Sequence, residues 1–130
     1  MPEAEKSMIL LAEPEEAIRE SIEMVLIDEG YDCHGVTDTE SLVRAIHIHD
    51  SDLIIADIQL LHPGIQNILA AISEYPDPPP ILVTLTYERI RDMLELIKFG
   101  LGEYLLKPFQ FEEMLERVQR LLSEKANSEN

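Results

Sequence analysis

The chain has 130 residues, 45% of them hydrophobic, which is enough for one domain with a real core and too little for two. Ten Lys and Arg stand against 26 Asp and Glu, and the resulting formal net charge of −16 opposes close approach to a nucleic-acid backbone or an anionic membrane, so neither is expected as a partner. A single cysteine, Cys33, cannot form an internal disulfide, no apolar run approaches the roughly 18 residues of a membrane span, and the charged opening MPEAEKSM lacks a signal peptide's apolar stretch; together these read as a soluble protein of the reducing cytoplasm.

Residues 1–7 read as an extension ahead of a domain spanning 8–124. The first apolar burst, residues 8–12, is short and flanked by charge, as in a strand buried on both faces. Over residues 15–29, Ile18, Ile22, Val25 and Leu26 recur at the spacing of one helical face, and Gly30 can stop that helix in a left-handed turn. A second strand is expected at 32–36. Thr37 and Glu40 then stand at capping-box spacing ahead of a helix carrying Leu42, Ala45 and Ile46.

Residues 53–56 form another unbroken apolar run that ends at Asp57, and Ile65, Ile68, Leu69 and Ile72 mark a third helical stripe, closed by the prolines between 76 and 80. A fourth strand is expected at 81–85, a fourth helix on Ile90, Met93, Leu94 and Ile97 with Gly100 at its end, and a fifth strand at 103–106. The last helix, 110–124, carries the most regular stripe: Phe111, Met114, Leu115, Val118, Leu121 and Leu122. Residues 125–130 read as a polar tail or the start of a linker.

Strands alternating with helices through short loops imply an α/β fold: a doubly wound parallel sheet of five strands covered by helices on both faces. In such a sheet, ligands collect beyond the carboxyl ends of the strands. Strand one runs into Glu13, strand three into Asp57, strand four into Thr84 and Thr86, and strand five into Lys107. Carboxylates beside a lysine suit Mg²⁺, and an aspartate there can attack a phosphoryl donor to give an acyl phosphate whose charge the metal and the lysine neutralise.

These residues resemble the receiver domains of two-component response regulators over nearly the whole chain. Three stretches carry the likeness: ILLAEPEEAIRE at strand one, DLIIADIQL at strand three and GEYLLKPF at strand five. The resemblance implies a flavodoxin-like sheet of order 2-1-3-4-5 in a three-layer sandwich. It implies Asp57 as phosphoacceptor for a histidine kinase or phosphotransfer protein, and Lys107, with Thr84 or Thr86, as the phosphoryl contacts. It also implies a cis peptide before Pro108, and Tyr104 as a switch residue on the face of helix four, strand five and helix five, which meets a downstream protein target or a second copy in a homodimer. Mg²⁺ would be held by Glu13, Asp57 and the backbone carbonyl of Gln59.

The chain departs from the family pattern at three points. The second of two adjacent acids after strand one, the direct metal ligand, is replaced by Pro14, so metal affinity is expected to be weakened. The hydroxyl position of strand four, counted back from Lys107, falls on Leu85, between Thr84 and Thr86. The proline and glycine four and eight residues past the phosphoacceptor are replaced by Leu61 and Ile65, with Pro63 and Gly64 displaced. Two functions therefore stay open: a phosphorylatable receiver, and a pseudo-receiver that binds proteins independently of phosphate. An FMN site is disfavoured because the loop after strand one reads EPEE, and a phosphatase is disfavoured because Ile58-Gln59 follow Asp57. His47 and His49 lie two apart on a helix and share no face, which argues against zinc.

Overall fold

The computed structural model describes residues 6–128, so the expectations for residues 1–5 and 129–130 lie outside the described residues. The order is β1 (Met8–Ala12), α1 (Glu16–Asp28), β2 (Asp32–Val36), α2 (Thr39–Ile48), β3 (Leu53–Asp57), α3 (Ile65–Ile72), β4 (Ile81–Leu85), α4 (Ile90–Ile97), β5 (Glu103–Leu106) and α5 (Phe111–Ser128). Two short 3₁₀ turns, Ile58–Leu60 and Tyr87–Arg89, follow β3 and β4. The five strands are parallel in the order β2-β1-β3-β4-β5, as expected for a flavodoxin-like sheet.

Successive side chains of a strand point to opposite faces, and this alternation sorts the core into two layers. Leu10, Ala12, Ile54, Ala56, Val83 and Leu85 join buried residues of α2, α3 and α4 on one face. Ile9, Leu11, Leu53, Ile55, Leu82 and Leu105 join α1 and α5 on the other. The central strands β1, β3 and β4 are apolar on both faces because both are covered, which is why they read as unbroken runs. Gly30 and Gly100 close α1 and α4 at φ +95° and +94°, a region that an L side chain rarely adopts.

Three local expectations change. The cap of α2 is Asp38, not Thr37: β2 ends one residue before Thr37, and Asp38 Oδ1 accepts from the Ser41 amide at 2.7 Å. That hydrogen bond holds the Asp38 carboxyl below the usual carboxylate range. The buried face of α4 is Met93 and Leu96 with Ile90 packed beside them, while Leu94 and Ile97 are 57% and 45% exposed. Leu85, the position that counting assigned to the hydroxyl, is buried in the core against α3 and α4. Finally, α5 runs to Ser128, past the expected end at residue 124; Lys125 reaches Asp52 and Asp77 at 3.8 and 3.9 Å, which ties the last turns to the base of the sheet.

Candidate functional site

Alternation also decides which rim residues meet. Glu13 continues the parity of Ile9 and Leu11, Asp57 that of Leu53 and Ile55, and Lys107 that of Leu105, so all three belong to the face covered by α1 and α5. Strand geometry carries on past two strand ends, since the Glu13 amide donates to Val36 O at 3.0 Å and the Lys107 amide to Leu85 O at 2.8 Å.

The three side chains form one cluster. Lys107 Nζ donates to Asp57 Oδ2 at 2.6 Å and also to Glu13 Oε1. Glu13 and Asp57 are only 2% and 3% exposed, so the lysine serves as the counter-charge of two buried carboxylates. Burial alone would push the Lys107 ammonium down, but its hydrogen bonds and charge contacts with Asp57 and Glu13 outweigh that and hold it above the usual lysine range.

The remaining carboxylate oxygens are held by backbone. Asp57 Oδ1 accepts from the Gln59 amide at 2.9 Å, which makes Asp57 the cap of the 3₁₀ turn after β3. Glu13 Oε2 accepts from the Glu15 amide at 3.0 Å, and Glu13 O accepts from Arg19 Nη1 at 2.9 Å. The loop after β1 is thus folded back on Glu13 across Pro14.

Asp57 and Lys107 open into a cleft of about 670 Å³. Gln59, Thr86 and Arg89 share its polar side, and Ile18, Ile22, Phe109 and Phe111 form an apolar wall beside it. Thr84 pairs with Asp57 across β3 and β4 but is 2% exposed and is not among the lining residues, whereas Thr86 is exposed and lines the cleft. Tyr104 lies elsewhere, on the outer edge strand β5, in a shallow pocket with Leu106 and Arg117, whose Nη1 donates to Tyr104 O at 2.7 Å. The Lys107–Pro108 peptide is cis, and so is His62–Pro63, which the sequence reading did not anticipate.

The donor set fits Mg²⁺ at a low ligand count. This ion takes oxygen ligands, commonly one or two carboxylates completed by phosphate and water; Glu13, Asp57 and the Gln59 carbonyl are of that kind, and Pro14 adds none. Lys107 already bridges the two carboxylates, so a metal would share them with an ammonium.

Sequence reasoning missed a second polar cluster at the cleft's edge. Arg89 Nε donates to Asp92 Oδ2 at 2.5 Å, His62 Nδ1 lies 3.5 Å from Asp92 Oδ1, and His62 Nε2 lies 2.7 Å from Glu95 Oε2. No spacing rule joins residues 62 and 95, which lie in different loops and helices. Among the described residues no group of three His, Cys, Asp or Glu is placed to hold a metal ion, and no helix is long and apolar enough to cross a membrane.

The family model for the response regulator receiver domain matches residues 9–119. The transcriptional regulatory protein PcoR of Escherichia coli is 30% identical over 114 residues, covering 88% of this chain and 50% of that protein. The cell cycle response regulator CtrA of Brucella ovis is 26% identical over 114 residues, covering 88% and 49%; the chain therefore spans about half the length of these relatives. Among solved structures, a CheY-like receiver domain protein from Methanospirillum hungatei superimposes with a TM-score of 0.84 at 21% identity over 95% of this chain and 99% of that one. NtrX from Brucella abortus, in complex with ADP, superimposes with a TM-score of 0.83 at 22% identity over 96% and 28%.

Proposed function

Because the chain belongs to the response regulator receiver domain family, a signalling family of two-component systems, we propose that it accepts a phosphoryl group on Asp57 and reports it through the surface of α4, β5 and α5. The observation that carries this reading is the Lys107 ammonium, held at 2.6 Å from the buried Asp57 carboxylate at the floor of an open cleft.

In the step itself, a carboxylate oxygen of Asp57 attacks phosphorus, the P–N bond of a phosphohistidine or the P–O bond of a small acyl phosphate breaks, and the donor leaves with that electron pair. Lys107 exchanges its bond to Asp57 for one to a phosphoryl oxygen, as a point charge. Thr86, which lines the cleft, is the hydroxyl assigned to that group; Thr84, in register with Asp57 on β4, is buried. Glu13, Asp57 and the Gln59 carbonyl are the residues that would hold Mg²⁺, which when bound would add positive charge beside the phosphoryl oxygens.

The donor is a histidine kinase or phosphotransfer protein, and the output partner is a protein. Leu94, Ile97, Phe99, Tyr104 and Leu106 are exposed along α4, the turn after it and β5, an apolar surface suited to a protein target or a second copy of the chain. The net charge of −16 argues against direct contact with nucleic acid.

A second reading has its own support. Pro14 removes a metal ligand and Lys107 occupies the space between the two remaining carboxylates, which suits a pseudo-receiver that binds its partner without phosphate. Intact-protein mass after incubation with a small acyl phosphate and Mg²⁺ separates the two. A phosphoryl-sized gain that Asp57→Asn abolishes supports the first; no gain in the native chain, with a gain in Pro14→Asp, supports the second.

A further inference from the structure

Arg89 lines the same cleft as Asp57, Gln59, Thr86 and Lys107. It ends the 3₁₀ turn after β4, three residues past Thr86, and its side chain is 30% exposed without being locked into a complete set of bonds. Nε donates to Asp92, Nη2 makes a long 3.5 Å contact with His62 O, and Nη1 has no hydrogen-bond partner among the described residues. Arginine presents a planar fork that matches phosphate oxygens two at a time.

The charge of the site asks for such a group. Two carboxylates against one ammonium leave Glu13, Asp57 and Lys107 one negative charge in excess. An acyl phosphate on Asp57 replaces one carboxylate charge by about two phosphoryl charges, so the excess grows, and Pro14 limits the metal that would normally balance it. Asp92, the present partner of Arg89, would not be stranded if Arg89 left it, because His62 Nδ1 already stands 3.5 Å away.

We propose that Arg89 is a second phosphoryl-contacting cation: it leaves Asp92 for the phosphoryl oxygens on Asp57 while His62 takes over Asp92. This rests on the reading of Asp57 as phosphoacceptor and deepens it. The exchange moves a bond between the cleft and the first turn of α4, since Asp92 and Glu95 both lie on that helix. Glu88, beside Arg89 in the cleft wall, opposes the exchange electrostatically.

The test uses the full chain, a small acyl phosphate and Mg²⁺, and reads the initial rate of Asp57 phosphorylation and the half-life of the product for the native chain, Arg89→Ala, Arg89→Lys and Asp92→Asn. Arg89→Ala is expected to slow phosphorylation and shorten the half-life by about tenfold, the scale of losing one charge-assisted hydrogen bond, with Arg89→Lys intermediate. Asp92→Asn weakens the competing partner of Arg89 and should shift both quantities the opposite way. If Arg89 and Asp92 form only a structural pair, the two variants change the kinetics in the same direction or not at all, and the proposal falls while Asp57 remains a phosphoacceptor. If the native chain takes no phosphoryl group, both the reading of Asp57 and this inference are overturned.

Discussion

Replacing Lys107 by methionine tests the electrostatics of the site without asking for phosphorylation. The Lys107 side chain is 13% exposed and the Glu13 and Asp57 side chains 3% and 4%, so the substitution leaves two carboxylates facing each other with little water between them. Removing one partner of a buried ion pair costs about 3–5 kcal/mol, because the desolvated charge left behind has no compensation. For a chain of this size that lowers the melting temperature by about 10–20 °C at pH 7. Asp57→Asn alone leaves Lys107 paired with Glu13 and is expected to cost under about 1 kcal/mol, and adding it to Lys107→Met should restore much of the loss. Thermal unfolding of the two single variants and the double variant decides it. A Lys107→Met cost below about 1 kcal/mol, or a double variant no more stable than the Lys107 single, would refute the argument from a desolvated pair.

At alkaline pH, the native chain should lose the stabilisation that Lys107 provides. Its pKa is raised in the folded state, so that contribution is complete below the ordinary lysine value of 10.5 and disappears as the pH rises through the folded value; unfolding free energies should hold up to about pH 10 and fall above about 10.5 for the native chain, and stay flatter there for Lys107→Met. Burial, with Glu23 beside it, pushes the Cys33 thiol up to about 12, so alkylation at pH 8 should run at least about tenfold slower than for a free thiol and quicken on unfolding. Tyr75 donates its hydroxyl to His49 O at 2.5 Å and also to Ile46 O, tying the end of α2 to the segment after α3, so Tyr75→Phe should cost about 1–2 kcal/mol in urea unfolding. Millimolar Mg²⁺ should raise the melting temperature of Pro14→Asp by more than that of the native chain, since the variant adds a carboxylate directly beside Glu13; equal shifts would show that residue 14 does not reach the metal.

The fold was legible because each central strand is covered on both faces and so reads as a solid apolar run. The bounds of β2, β4 and β5 agree with expectation to the residue, set off by Gly30 and Tyr31, by the prolines before Ile81, and by Gly102 and Pro108. The inner face of α4 was less legible, because Leu94 and Ile97 are as apolar as Met93 and Leu96, and a helix apolar on two sides does not announce which side is buried. The extension of α5 depends on Lys125 meeting Asp52 and Asp77, residues that lie far away in the chain. At the site, Asp57 and Lys107 were marked by strand ends and by the KPF setting. The bond from Lys107 to Glu13 crosses 94 positions and the contact of His62 with Glu95 crosses 33, and no local pattern encodes either.

Strand parity also decides which hydroxyls share a face with Asp57 and Lys107. Thr84 and Thr86 share the parity of Leu82, on the face that carries Asp57 and Lys107, whereas Leu85 points with Val83 into the opposite core. Moving a hydroxyl by one residue along a strand would bury it in the wrong layer, but having one on each side of Leu85 keeps the correct face polar at two depths. Thr84 fills the deeper position at the Asp57 register and Thr86 the open one on the cleft wall. If Asp57 takes a phosphoryl group as proposed, the hydroxyl that lines the cleft, Thr86, is the one expected to meet it. Thr86→Ala should therefore impair the phosphoryl state, while Thr84→Ala should act mainly through packing.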